Sequence, residues 1–269
     1  MPNYLCVTCA TQFAESDAPP ARCPICEDER QYVGYSGQSW ITLDELRSAH
    51  HTVLREEEDK LTAVGCEPGF AIGQRALLVQ QAEGNVLWDC IPLIDENAIK
   101  GIRSLGGISA IAISHPHYYS SMVEWSRTFG GVPIYLHTDD REWVMRPDPS
   151  IVFWEGETHA LPGGITLVRC GGHFEGGTVL HWPAGAEGRG ALLSGDIINV
   201  VSDRRFVSFM RSYPNLIPLN RAAVTRIGQA VRPYAFDRIY GAWFGKVVQT
   251  DAKKRVEISI ERYLRAITG

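Results

Sequence analysis

Four cysteines near the amino terminus stand in two tight pairs. Cys6 and Cys9 form one C-x-x-C, Cys23 and Cys26 form a second, and residues 10–22 separate them. Each such turn aims two sulfurs at one point, so two turns supply the four thiolates of a closed tetrahedral metal site. Zinc is the default occupant and iron the alternative. A segment this short and polar cannot bury enough surface to fold unaided, which argues against four unligated thiols. A second set of donors lies further on. His115 and His117 follow the apolar run Ile111-Ala112-Ile113-Ser114, His173 follows Gly171-Gly172 after an apolar stretch, and Asp196 follows Leu192-Leu193-Ser194-Gly195. Any one of these histidines alone would be an ordinary packing residue. Together, three imidazoles and a carboxylate, each just past an apolar strand, suit zinc, iron or manganese, and a three-histidine set leaves a coordination position for water or substrate.

The elements that must position these donors read as follows. Thr42-Leu43-Asp44-Glu45 is a capping box that predicts a helix running to about Val64, with Leu43, Leu46, Val53, Leu54 and Leu61 as its apolar stripe and His50 and His51 as surface or packing residues on it. From Phe70 the pattern changes to short strands and turns. Strands are expected at 75–81, 86–91, 110–113, 132–136, 165–169, 178–182, 191–193 and 238–240, with helices at about 95–105, 120–129, 219–231 and 251–267. This is an α/β pattern of two mixed halves. Residues 199–218 form an insertion that includes Arg204, Arg205, Phe206, Phe209, Met210, Arg211 and Tyr213. It reads either as a lid over the metal or as an ordinary helix packing its aromatic face. His137, His159 and His181 have no motif neighbours and read as structural, and Trp143, Met145 and Trp154 as core.

Composition narrows the function. The chain has 269 residues, 45% of them hydrophobic, a formal charge of −5 and seven cysteines. That is enough apolar content for a sizeable core, and the mild acidity argues against nucleic acid as a partner. The ribbon itself carries Glu15, Asp17, Glu27, Asp28 and Glu29 against Arg22 and Arg30, so it would repel phosphate. Neither a leader-like amino terminus nor a membrane-length apolar run is evident, so we expect no membrane partner and a cytoplasmic location, where paired thiols suit metal ligation better than disulfides.

From Phe70 to Ile267 the chain resembles the metallo-β-lactamase superfamily, an αββα sandwich that also holds glyoxalase-type thioesterases and lactonases. The family's H-x-H-x-D-H motif falls on His115-Pro116-His117-Tyr118-Tyr119-Ser120, its third histidine on His173, its bridging aspartate on Asp196 and its early aspartate on Asp89. Tyr119 stands in place of the motif's aspartate, Ser120 in place of its second-site histidine, and Trp243 or Phe244 where the last histidine is expected. The resemblance therefore implies a single zinc or iron ion held by His115, His117, His173 and Asp196, with Asp89 orienting the ligand loops. It implies a metal-activated water attacking an ester, thioester or lactone of a small metabolite. Asp196 would act as ligand and proton acceptor, and Tyr119 or Lys246 would substitute for the second ion, although Lys246 reads equally well as a surface lysine. The amino-terminal segment is similar to a rubredoxin-like or zinc-ribbon module; Ala10 and Glu27 stand where rubredoxin-type knuckles favour glycine, which points to zinc.

The chain thus divides into a four-cysteine zinc ribbon over residues 1–36, a connecting helix over 37–66 and a metallo-β-lactamase-like domain over 67–269. Two further readings compete with the hydrolase. One is a non-catalytic scaffold whose ribbon serves a partner or a homodimer contact. The other is an electron carrier with iron in the ribbon.

Overall fold

The computed structural model describes residues 1–268. In the ribbon, Tyr4–Cys6 pairs antiparallel with Trp40–Thr42 and places Cys6 opposite Trp40. The first knuckle closes when Ala10 N donates to the Cys6 carbonyl at 2.8 Å, and Ala10 itself takes φ 65°. That left-handed conformation explains the glycine preference at such a position; alanine occupies it here at a cost of about 1 kcal/mol. The second knuckle is the single turn Pro24–Glu27, in which Cys26 N and Glu27 N both donate to the Cys23 carbonyl at 3.0 Å. The four cysteines and Ile25 are buried together against Ile72, Trp143 and Met145 of the main body, so the ribbon is seated on the larger domain. Arg146 fastens it by bonding both Gln12 and Glu124.

The capping box is present, with Thr42 and Glu45 each bonding the other's main-chain N–H, but the helix it opens is only Leu43–Ala49. The long connecting helix expected over 42–64 is corrected to this short helix followed by the antiparallel hairpin His51–Glu58 and Leu61–Glu67. The charged run Glu56 to Lys60 reads equally well at helical period. Sheet pairing decides the matter, because Leu61 to Val64 align with Val79 to Ala76 and complete the ladder. His50 ends the helix with its Nδ1 bonded to the Pro68 carbonyl, and His51 is exposed on the strand.

These two strands begin a seven-stranded sheet whose remaining members are Ala76–Val79, Val86–Trp88, Ala110–Ala112, Ile134–His137 and Ile151–Trp154. The first four strands are antiparallel; from Val86–Trp88 onward the pairing is parallel. A second sheet of six strands runs in the order Thr158–Ala160, Thr166–Arg169, Thr178–Trp182, Ala191–Gly195, Arg238–Gly241, Val247–Val248. Alternation along each strand loads both faces. Leu87 and Ile111 pack outward with Ala98, Ile102 and Trp125 of the helices Glu96–Ser104 and Met122–Thr128. Val86, Trp88, Ala110 and Ala112 pack inward against Leu180, Trp182 and Leu193 of the other sheet. Helices Arg221–Val231 and Ala252–Thr268 cover the far face, so the architecture is helix, sheet, sheet, helix. Residues 199–218 contain no helix; they form the short hairpins Asn199–Val200 with Val207–Ser208 and Met210–Ser212 with Ile217–Pro218. Among the described residues, no helix is long and apolar enough to cross a membrane.

Candidate metal centres and the cavity between them

Every predicted donor of the second set lies at the carboxyl end of a strand. His115 continues the line of Ala110–Ala112 in extended conformation, and Pro116 then starts a 3-10 turn over Pro116–Tyr118 that carries His117. His173 follows Thr166–Arg169, and Asp196 follows Ala191–Gly195. The three histidines converge, and Asp196 lies against one of them. His117 Nδ1 lies 3.2 Å from His173 Nε2, His115 Nε2 lies 3.1 Å from Asp196 Oδ1, and the nitrogens of the three histidines fall within 4.8 Å of one another. Two ligands on a tetrahedral ion at bond lengths of about 2.0–2.1 Å sit roughly 3.3 Å apart, so the His117–His173 spacing matches one edge of a coordination tetrahedron. His115 Nε2 and Asp196 Oδ1 are also buried without a hydrogen-bond partner, since their contact lacks hydrogen-bond geometry. Buried polar atoms are rarely left unsatisfied, and a bound cation would satisfy both at once.

The surroundings fix which nitrogens point inward. His173 Nδ1 bonds the Met210 carbonyl at 3.2 Å, which leaves Nε2 for the ion. His115 Nδ1 meets Ser114 Oγ at 2.9 Å, and Ser114 N donates to Asp89 Oδ1 at 2.7 Å, so Asp89 holds the histidine loop from behind. Gly195 makes this arrangement fit. Its φ is +52°, and a Cβ there would stand 2.8 Å from Ser114 Oγ. Burial, reinforced by the neighbouring imidazoles and Arg30, pushes His115 and His117 well below the usual histidine range, and burial takes His173 to about 4. The imidazoles are therefore neutral, which is the form that ligates. Burial raises Asp196 to about 7.

The cysteine set fits a metal equally well. Cys6 Sγ lies 3.5 Å from Cys26 Sγ and Cys9 Sγ 3.7 Å from Cys23 Sγ, against roughly 3.8 Å for the edge of a tetrahedron with bonds of about 2.3 Å. Gln38 Nε2 donates to Cys6 Sγ at 2.9 Å.

Beside the histidine centre lies a cavity of about 190 Å³ whose walls include His117, His173 and Asp196 from the sandwich, Trp243 and Tyr213 from its loops, and Thr8, Arg30, Gln31 and Tyr32 from the ribbon. The ribbon residues and Tyr213 are not in the predicted site. No local motif marks them, because the contacts that place them join distant parts of the chain. Arg30 is clamped by Asp28 and Glu175, its guanidinium lies 4.1 Å over the Phe174 ring, and it reaches the His173 carbonyl at 3.5 Å. Tyr213 O–H donates to the Asp196 carbonyl at 2.6 Å. The insertion therefore shapes the cavity through Tyr213 and Pro214, whereas Arg204 is held on the Gly245 carbonyl and Arg205 on Asp203.

One predicted catalytic residue is displaced. Tyr119 is buried, donates its O–H to the Asp140 carbonyl at 3.3 Å and is absent from the cavity wall, so its expected role at the leaving oxygen is corrected to a packing role. The turn directs His117 inward and carries Tyr119 into the core beside Met122 and Trp125. Lys246 does not line the cavity either. Trp243, where the last histidine is expected, does line it and donates Nε1 to the Ile72 carbonyl at 3.1 Å. His137 and His181 each bond a main-chain carbonyl, and His159 lies against Trp154, as structural residues would.

Asp140 supports the His173 loop by accepting from Gly176 N at 2.8 Å, and burial raises its carboxyl to about 7. Because the folded state binds this proton more tightly than the unfolded chain, stability falls as pH rises from about 4 to about 7 and stays lower above that. Asp140→Asn has no such proton. Urea unfolding at pH 5 and pH 8 is expected to show the variant gaining on wild type by up to about 3 kcal/mol over that interval. A difference independent of pH would refute this account.

Comparison with known proteins locates the chain. Uncharacterized protein YmaE of Bacillus subtilis (strain 168) is 52% identical over 271 residues, spanning 100% of this chain and 98% of that protein. No family model matches the sequence. Among solved structures, VMB-1 superposes with a TM-score of 0.62 at 15% identity over 81% of this chain and 99% of its own. The metallo-β-lactamase DIM-1 gives 0.61 at 16% identity over 80% and 98%. FIM-1 from Pseudomonas aeruginosa, a metallo-β-lactamase in its mono-zinc form, gives 0.58 at 14% identity over 81% and 97%. Full-length identity on one side and shared architecture on the other lead to the same place: the chain belongs to one family with YmaE, and its fold is that of the metallo-β-lactamases.

Proposed function

We propose that this chain is a single-metal hydrolase that opens an ester, thioester or lactone of a small metabolite in the cytoplasm. The observation that carries the reading is the convergence of His115, His117 and His173 within 4.8 Å, with the Asp196 carboxylate 3.1 Å from His115 Nε2 and with His117, His173 and Asp196 on the wall of a cavity of about 190 Å³. When bound there, zinc or iron supplies a Lewis acid and lowers the pKa of a water towards ~7. The chain's own groups do the rest. Asp196 Oδ1, fixed beside His115 Nε2 and braced through its carbonyl by Tyr213, accepts the proton from the attacking water. Ile72, Pro214 and Trp243 give the acyl part an apolar wall.

A single ion is supported by the three positions where the resemblance expects ligands of a second. Tyr119 is bonded to the Asp140 carbonyl, Ser120 Oγ to the Tyr118 carbonyl and Trp243 to the Ile72 carbonyl, so none is left to coordinate. The reading is supported by FIM-1, a protein of the same fold that has been solved in a mono-zinc form. The four-cysteine site is assigned structural zinc, which suits a reducing compartment.

Metal analysis by mass on the full chain tests this reading. We expect about two equivalents, falling by one in His115→Ala and by one in Cys6→Ser. A screen of simple esters, thioesters and lactones should then find turnover that disappears in His115→Ala. Undiminished metal content or turnover in that variant would sink the hydrolase.

A further inference from the structure

The ribbon side of the cavity holds a polar group that nothing in the fold uses. Gln31 lines the cavity and is 5% exposed, and its Oε1 is shielded from solvent with no hydrogen-bond partner among the described residues. The residue is not loose. Its N–H donates to the Asp28 carbonyl at 3.0 Å, its own carbonyl accepts from Asn215 Nδ2 at 3.0 Å, and its neighbour Arg30 is locked between Asp28, Glu175 and Phe174. A buried amide acceptor held in place without a donor is costly unless a ligand supplies one.

Two other polar groups of the wall are committed. Arg30 spends its donors on Asp28, Glu175 and the His173 carbonyl, and Tyr213 spends its hydroxyl on the Asp196 carbonyl. Among the described residues, Arg30 is the one lysine or arginine on this wall, so a carboxylate arm of a substrate would find no free cation there. What the wall can take is a neutral donor next to an apolar surface made by Ile72, Pro214 and Trp243.

We infer that Gln31 is the specificity-determining residue of the cavity and that the ribbon, through it, selects an ester or thioester whose acyl arm carries an amide N–H. The inference rests on the hydrolase reading for the word substrate, but the recognition it describes is measurable as binding alone.

N-acetylglycine and levulinic acid differ by an N–H in place of a CH2 and share a carboxylate for which zinc at the histidines would be the partner, so the ratio of their affinities isolates the amide proton. Titrated into zinc-loaded full chain with tryptophan fluorescence as the signal, N-acetylglycine is expected to bind roughly tenfold more tightly, the size of one satisfied buried hydrogen bond. In Gln31→Leu the ratio should collapse to about one while both metals and the thermal midpoint stay as in wild type. In Gln31→Glu, which keeps an acceptor, the preference should persist. Equal binding of the two acids to wild type, binding of neither, or an unchanged ratio in Gln31→Leu would each overturn the inference. The p-nitrophenyl esters of the same acids separate it from the enzyme reading. Selective binding with no hydrolysis above the His115→Ala background would keep Gln31 as the recognition residue and remove the hydrolase.

Discussion

Cys26→Ser is expected to disable the proposed hydrolysis although Cys26 is not on the cavity wall. The ribbon core consists of the four cysteines with Leu5 and Ile25, too little apolar surface to hold 36 residues without an ion. Structural zinc in such modules supplies on the order of 10–16 kcal/mol, comparable to the whole stability of a domain, so losing one thiolate should open the segment. Opening removes Arg30, Gln31 and Tyr32 from the cavity and releases Arg30 from beneath Phe174 and Trp143. Three readouts should move together. One metal equivalent is lost, trypsin gains access to the bond after Arg30, which is 5% exposed in the fold, and hydrolysis falls at least about 10²-fold, the scale of a misplaced site wall. Far-ultraviolet circular dichroism should change little, because both sheets have their own cores. If the ribbon metal is gone while Arg30 stays protected and turnover stays normal, the ribbon is not a wall of the site.

Asp196→Asn carries the second large effect. The substitution keeps shape and leaves three imidazoles to hold an ion, but it removes the carboxylate beside His115 Nε2 to which the proposed mechanism gives the proton. Hydrolysis is expected to drop by about 10²- to 10⁴-fold, the contribution of a positioned base, with the ion retained at lower affinity. Tyr119→Phe is the contrast. It deletes only a hydroxyl bonded to the Asp140 carbonyl, so turnover should remain within about twofold of wild type, a change of less than about 0.5 kcal/mol in the barrier. A Tyr119→Phe rate as low as that of Asp196→Asn would return Tyr119 to the chemistry and overturn the assignment of its hydroxyl to packing.

The donors were legible because their signals are local. Apolar strands that end in His115, His173 and Asp196 announce both a sheet and its carboxyl edge, and the structure brings the three histidines to one point with Asp196 against His115. The segment from Thr42 to Val64 reads as a helix in sequence because its leucines and charges satisfy two periods at once. Only the neighbouring strand Ala76–Val79, bonded residue by residue to Leu61–Val64, selects the extended form. Tyr119 departs from its expected place for a related reason. Position in a motif does not set the direction of a side chain; the 3-10 turn over Pro116–Tyr118 does, and it turns Tyr119 into the core.

By itself the sequence determined what could bind metal and where along the chain, since a C-x-x-C knuckle and a histidine at the end of an apolar strand depend on turn geometry and side-chain period over a few residues. Only the tertiary structure decided what surrounds the ion. Arg30 reaches the His173 carbonyl across 143 residues, and Asn215 reaches the Gln31 carbonyl across 184. Contacts of that span are set by how whole layers bury their apolar faces against one another, and no short stretch of residues encodes that packing.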